Sequence, residues 1–166
     1  MNKSSMDRRA FLRNSSAAAL LFTVPTWVWS TGCGSGPEVV EKNETWEKDA
    51  AALEAKGTVL TKEEPGKWSE KVTPHIPAAT FNEGANSVDV VVPHPMTTEH
   101  WISDVYIKNQ DGIVIGYQKW EAKAYEGDEA KAAKATFTLP AGTTMIAMYS
   151  YCNLHDHWKV EGTKIG

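Results

Sequence analysis

Five histidines and two cysteines carry most of the chemistry open to this 166-residue chain. All the histidines lie after residue 74, each beside a proline, a turn or a cysteine. His75 stands in Thr73-Pro74-His75-Ile76-Pro77. His94 and His100 stand in Pro93-His94-Pro95-Met96-Thr97-Thr98-Glu99-His100. Cys152 and His155 form a Cys-x-x-His unit in Tyr151-Cys152-Asn153-Leu154-His155. Imidazole and thiolate are transition-metal ligands. Spacing limits how they could share one ion. On a straight strand, His94 and His100 would be roughly 20 Å apart. Their separation also misses the three or four residues that place side chains on one helix face. The chain must therefore turn back between them, and Pro95 with Thr97-Thr98 suits such a turn. Cys152 and His155 suit a loop wrapping an ion at a strand end. A single histidine is more often a surface or core residue than a ligand. Four at loop positions, beside a Cys-x-x-His unit, point to one shared metal site of His75, His94, His100, Cys152 and His155. His157 has no turn of its own and reads as a residue behind the ligands or facing solvent.

The elements that must position these groups read mostly as strands. Ser87–Val92 is a β-branched run stopped by Pro93. Trp101–Lys108 alternates apolar and polar residues, Asn109-Gln110-Asp111-Gly112 is a turn, and Ile113–Trp120 resumes the alternation. Ala135–Leu139, Thr143–Tyr151 and a short Trp158–Val160 follow. Short strands at regular spacing predict an all-β antiparallel sandwich. Glu121–Lys134, rich in Ala, Lys and Glu, reads as a loop or a helical turn. Upstream, Trp46, Ala50 and Leu53 predict one short N-terminal helix over Thr45–Lys56, ended by Gly57. Gly34–Asn43 reads as a linker.

The first 33 residues have a different composition. Lys3, Arg8, Arg9 and Arg13 stand against one acid, Asp7, and an apolar run follows over Ala17–Trp29. This is the pattern of an export signal, and the run is short for a permanent membrane span. Asp7-Arg8-Arg9-Ala10-Phe11-Leu12-Arg13 resembles the twin-arginine motif. Ser30-Thr31-Gly32-Cys33 resembles a lipoprotein processing site, with Ser30 where leucine is usual. Acylated at Cys33, the domain would be tethered to a membrane surface outside the cytoplasm, and without acylation it would be periplasmic. A single Cys33–Cys152 bridge is the alternative, but each cysteine has a better local explanation. Without residues 1–33 the chain keeps 13 bases and 20 acids, a net charge of −7. Such a domain is a poor binder of nucleic acid.

At the histidine and cysteine segments the sequence resembles the superoxide reductase family, which includes neelaredoxin and the iron-binding domain of desulfoferrodoxin. His75-Ile76-Pro77, His94 through His100 and Cys152 through His155 match its His-x-Pro, His-Pro-x-x-x-x-Glu-His and Cys-Asn-x-His segments. The similarity spans about Gly66–Val160. The resemblance implies an immunoglobulin-like sandwich over 66–166, after a signal at 1–33 and a linker with a short helix at 34–65. It implies one iron with four equatorial imidazoles (His75, His94, His100, His155) and an axial Cys152 thiolate. It also implies one-electron reduction of superoxide to hydrogen peroxide, with electrons from an external donor. Homo-oligomerisation is left open.

Two departures stand out. The family has Glu-Lys directly before its first histidine, whereas this chain has Thr73-Pro74 there and Glu70-Lys71 upstream. Lys71 is thus a displaced candidate for attracting the anion. Asp156-His157 also stand where the family usually has glycine and an apolar residue.

Ligand type alone does not select iron, since copper and zinc bind such donors more tightly. Loading before twin-arginine export would let cytoplasmic metal availability decide. The main alternative is a blue-copper carrier, which Cys-x-x-His with an upstream histidine also resembles. It would leave His75 and His100 idle, and no methionine follows His155. A non-enzymatic iron-binding or redox-sensing module is the third reading.

Overall fold

The computed structural model describes residues 40–125 and 131–165. The export signal and Cys33 lie outside the described residues. Ten short elements follow in order. They are α1 (Glu44–Glu54), β1 (Val59–Leu60), α2 (Val72–His75), β2 (Ala78–Asn82), β3 (Ser87–Val92), β4 (Ile102–Asn109), β5 (Val114–Lys119), β6 (Ala133–Thr138), β7 (Met145–Cys152) and β8 (Asp156–Lys164). One sheet runs β1-β8-β7-β4-β5 and the other β2-β3-β6. The pairings are antiparallel as expected, except that β1 lies parallel to β8.

The two sheets close on a shared apolar core. Val88, Val90 and Val92 of β3 and Phe137 of β6 pack with Ile102, Val105 and Ile107 of β4 and Ile146 and Met148 of β7. The alternation in β3 explains its choice of face: valines at every second position point inward. Gly116 of β5 shows how closely the layers approach. A Cβ there would meet the Phe137 ring at 2.5 Å, so only glycine fits.

The far face of the larger sheet is also covered. Ala50 and Leu53 of α1 pack on Tyr106, Val114 and Tyr149. The Asn43 side chain caps the helix by accepting from the Trp46 N–H at 3.2 Å. Glu47 Oε1 accepts from the Val114 N–H at 2.9 Å, which docks the helix on edge strand β5. Glu54 Oε1 then accepts from the Tyr106 hydroxyl at 2.7 Å and pairs with Lys108 Nζ at 2.6 Å.

Several local expectations shift. The helix ends two residues before the expected Lys56. Strand β8 extends well past Val160, because it pairs with the whole of β7. Strand β2 is half-exposed and sends only Ala79 and Phe81 to the core, too few to make a periodic signal of its own. The Glu121–Lys134 stretch agrees with its expected helical turn, a 3-10 turn at Ala122–Tyr125.

Candidate metal centre

Three chain segments converge at one end of the sandwich. The first is α2, a single helical turn ending at His75. Pro74 is tolerated there because a first-turn residue needs no N–H partner. Ile76, which precedes Pro77, is extended (ψ 121°) and ends the turn. The buried Ser150 hydroxyl donates to His75 O at 2.7 Å and ties this turn to β7.

The second segment answers the spacing problem of His94 and His100. The Thr97 N–H donates to His100 O at 3.0 Å, and Thr97 Oγ1 accepts from the His100 N–H at 3.0 Å. The chain is thereby folded back on itself. Met96 is fully buried beneath the turn, and its sulfur accepts from the Ile102 N–H at 3.4 Å.

The third segment is the β7–β8 hairpin. Cys152 faces Asp156 across a three-residue loop, with Asp156 in the left-handed region at φ 63°. Asn153 stitches the hairpin to the second segment. Its Oδ1 accepts from the Trp101 N–H at 3.0 Å and its Nδ2 donates to Glu99 O at 2.8 Å, on either side of His100.

The five expected donors come together: the ligand atoms of His75, His94, His100, Cys152 and His155 lie within 4.8 Å of one another. The imidazole nitrogens mark out three equal sides of a square. His94 Nε2 to His100 Nε2, His100 Nε2 to His155 Nδ1, and His155 Nδ1 to His75 Nε2 are each 3.0 Å. The centre of a square with that side is about 2.1 Å from each corner, the length of an imidazole–metal bond. Cys152 Sγ stands off the square at 3.3, 3.6 and 3.7 Å from His100, His155 and His94. A proton cannot satisfy this arrangement. His100 Nε2 touches two other ring nitrogens and the sulfur, yet carries one lone pair or one hydrogen. A cation at the centre satisfies all five donors at once. Among the described residues no sixth His, Cys, Asp or Glu joins the group.

The surroundings favour ligands that are neutral and aimed. His75 Nδ1 donates to Lys71 O at 2.6 Å, which leaves Nε2 as the inward donor. Trp158, fully buried, stacks on the His75 ring at 5.5 Å and donates its indole N–H to His155 O at 2.7 Å. Burial lowers His75 and His94 to about 4. Burial also lowers His100 and His155, with a further contribution from the Lys71 charge at each. The Cys152 thiol is pushed up by burial, against backbone N–H donors from Leu154 and His155. Without a cation the sulfur therefore stays protonated; with one, it is the natural thiolate ligand.

His157 behaves otherwise than expected. It is 3% exposed and lies with Tyr106, Tyr149 and Tyr151, with Nε2 at 3.1 Å from the Tyr106 hydroxyl. It neither faces solvent nor lies behind the five donors, because β8 alternates and sends Trp158 to the metal side instead. Ser150, Trp158 and Trp68 were not singled out by the sequence. Their roles depend on contacts across 75, 83 and 88 positions that no local pattern carries; the last is Trp68 to Asp156.

A pH dependence follows for the metal-free protein. His75, His94 and His157 each titrate near 4 when folded, against an ordinary 6.5. Between those values the unfolded chain binds more protons. Stability is therefore full above about 6.5 and is lost as pH falls through 4. The urea midpoint of the metal-free protein is expected to drop steadily from pH 7 to pH 4.5. A constant midpoint over that range would contradict the burial of these rings.

Comparison with known proteins places these features. The family model for desulfoferrodoxin matches residues 65–161. A Thermotoga maritima protein named "Putative superoxide reductase" is 31% identical over 108 residues, covering 54% of this chain and 82% of that protein. Desulfoferrodoxin of Nitratidesulfovibrio vulgaris is 34% identical over 88 residues, covering 52% of this chain. The chain spans 61% of the length of that desulfoferrodoxin. Among solved structures, superoxide reductase from Treponema pallidum aligns at 29% identity with a TM-score of 0.41, covering 54% of this chain and 67% of that one.

Proposed function

The chain belongs to the desulfoferrodoxin family, and on that premise we propose that it is a superoxide reductase with one iron held by His75, His94, His100, His155 and Cys152. The observation that carries this reading is the square of four imidazole nitrogens with a sulfur standing off it. Iron held there would supply the one electron that, with two protons, converts superoxide to hydrogen peroxide, and an external one-electron donor would replace that electron.

The protein holds, orients and charges the site. Cys152 supplies a thiolate whose electron density favours transfer to the substrate. Asn153 and Thr97 hold the two loops in register. The domain's negative charge repels superoxide, so a local cation matters. The Lys71 charge is felt at His75, His100 and His155, which supports Lys71 in that role despite its displacement along the chain. Lys71→Gln is expected to lower the second-order rate with superoxide about tenfold, with a flatter ionic-strength dependence. Lys71 is exposed, so stability should change by less than about 0.5 kcal/mol. Pulse radiolysis at two salt concentrations measures both the rate and its slope. An unchanged rate would remove Lys71 from substrate capture.

The function itself is tested on anaerobically purified protein. One iron per chain and hydrogen peroxide formed without oxygen release are expected when the reduced form meets superoxide. Oxygen release would mean dismutation, and copper or zinc in place of iron would overturn the assignment. The blue-copper alternative uses two imidazoles and leaves the other two converged rings without a purpose.

The twin-arginine motif at Asp7–Arg13 supports export of the folded chain, and Thr31-Gly32-Cys33 supports acylation at Cys33. Replacing Arg8 and Arg9 together by lysine is expected to retain the protein in the cytoplasm. Cell fractionation checks this, and unchanged export would point to the general secretion route.

A further inference from the structure

The segment ahead of His75 is fastened to the far side of the metal centre. Gly66–Lys71 is a 3-10 stretch broken at Trp68, whose φ −108° and ψ 28° are not helical. At that break the Trp68 indole N–H donates to Asp156 Oδ2 at 2.6 Å. Lys67 Nζ lies 3.6 Å from the same oxygen. The Trp68 ring stands edge-on to the His155 ring at 4.7 Å and 78°. Three residues on, Lys71 O accepts from the ring Nδ1–H of His75. One short strap therefore touches two adjacent corners of the square, whose nitrogens are 3.0 Å apart.

The backbone of Asp156 makes this contact informative. Its φ of 63° belongs to the region that glycine occupies without steric cost. Aspartate is tolerated there at a steric cost that glycine avoids. A side chain kept at such a position points to a use for that side chain, and the carboxylate's partners are Trp68 and Lys67.

We propose that Asp156 and Trp68 form a latch that clamps the 66–71 strap over the His75–His155 edge, making both positioning residues for His75 and for Lys71. The part concerning Lys71 rests on the superoxide reductase reading; the latch itself does not. Opening it frees the carbonyl that orients His75 and lets the Lys71 charge move away from the site.

Three substitutions separate the latch from a folding effect. Asp156→Gly suits the backbone and removes the carboxylate, so the hairpin folds while the latch is lost. Asp156→Asn keeps an acceptor oxygen, and Trp68→Phe keeps a ring without the N–H. The Trp68 indole proton, identified by its absence in Trp68→Phe, is followed by NMR in metal-free protein. It is expected downfield and slow to exchange in the parent and in Asp156→Asn. In Asp156→Gly it should move to the free-indole position and exchange at least about tenfold faster. In iron-loaded protein, Asp156→Gly and Trp68→Phe should shift the midpoint potential. Both should also lower the superoxide rate about tenfold with a flatter salt dependence, the effect expected of Lys71→Gln. An indole signal and a potential unchanged by Asp156→Gly would overturn the latch. A parent protein that does not react with superoxide would overturn the functional reading, while the indole and potential still decide the latch.

Discussion

Cys152→Ser is expected to leave a folded protein that has lost its reaction with superoxide. Cys152 is fully buried at the end of β7, and serine is close to it in size. The new hydroxyl meets the His94, His100 and His155 nitrogens that surround the sulfur, so the fold cost is small, about 1 kcal/mol. The chemical cost is larger. Serine does not ionise at neutral pH, so the charge and polarisability of sulfur are lost together. The four imidazole nitrogens remain in their square and still bind a metal, but more weakly. The fall in rate should exceed the roughly 10–100-fold typical of losing an outer partner. Any visible absorption from sulfur to iron should vanish with it. Metal analysis, an absorption spectrum and rapid mixing with superoxide read the three effects separately. A serine variant that kept the parent rate would remove the sulfur from the mechanism.

Trp158→Ala should have the largest effect on stability and a large one on the metal. Trp158 is among the largest fully buried side chains, and it fills the space behind His75. Truncating a buried aromatic to alanine costs about 3–5 kcal/mol, which is much of the roughly 5–15 kcal/mol that holds a domain together. The same change removes the stacked ring from His75 and the donor from His155 O. Two corners of the square lose their support at once, and iron affinity should fall by about 10–100-fold. Trp158→Phe keeps one ring and much of the packing while losing the N–H and the rest of the indole, so it should unfold nearer the parent. Urea titration with metal analysis on both variants tests this. Equal stability in the alanine variant would mean that the cavity behind His75 collapses without cost.

Where the fold was legible, the reason is local. Strand β3 agrees with its expectation from Ser87 to Val92, because a β-branched run and Pro93 mark both its character and its end. The β4–β5 hairpin follows from alternation around Asn109–Gly112, whose bend is set by Asn109 Oδ1 accepting from Asp111 and Ile113. The ligand segments were legible because turns, prolines and a Cys-x-x-His unit are short-range signals. What escaped depends on partners distant in sequence. Strand β2 exists through its pairing with β3 rather than through any pattern of its own. His157 is buried because α1 and the tyrosines cover that face, which its neighbours in sequence do not announce. The same holds for Trp68, which looks like a surface tryptophan until Asp156 is found beside it.

The three ligand segments also define a topology. His75 and His155 are 80 positions apart, and His100 and His155 are 55 apart. An ion held by all three segments is thus a cross-link that closes most of the domain into nested loops. Cross-links of that span act chiefly on the unfolded chain, by reducing the conformations it can explore, and the gain grows slowly with loop length. Losing the ion would then resemble reducing a disulfide more than vacating a ligand site. The sheets keep their pairing, but the chain regains the freedom of its longest loops.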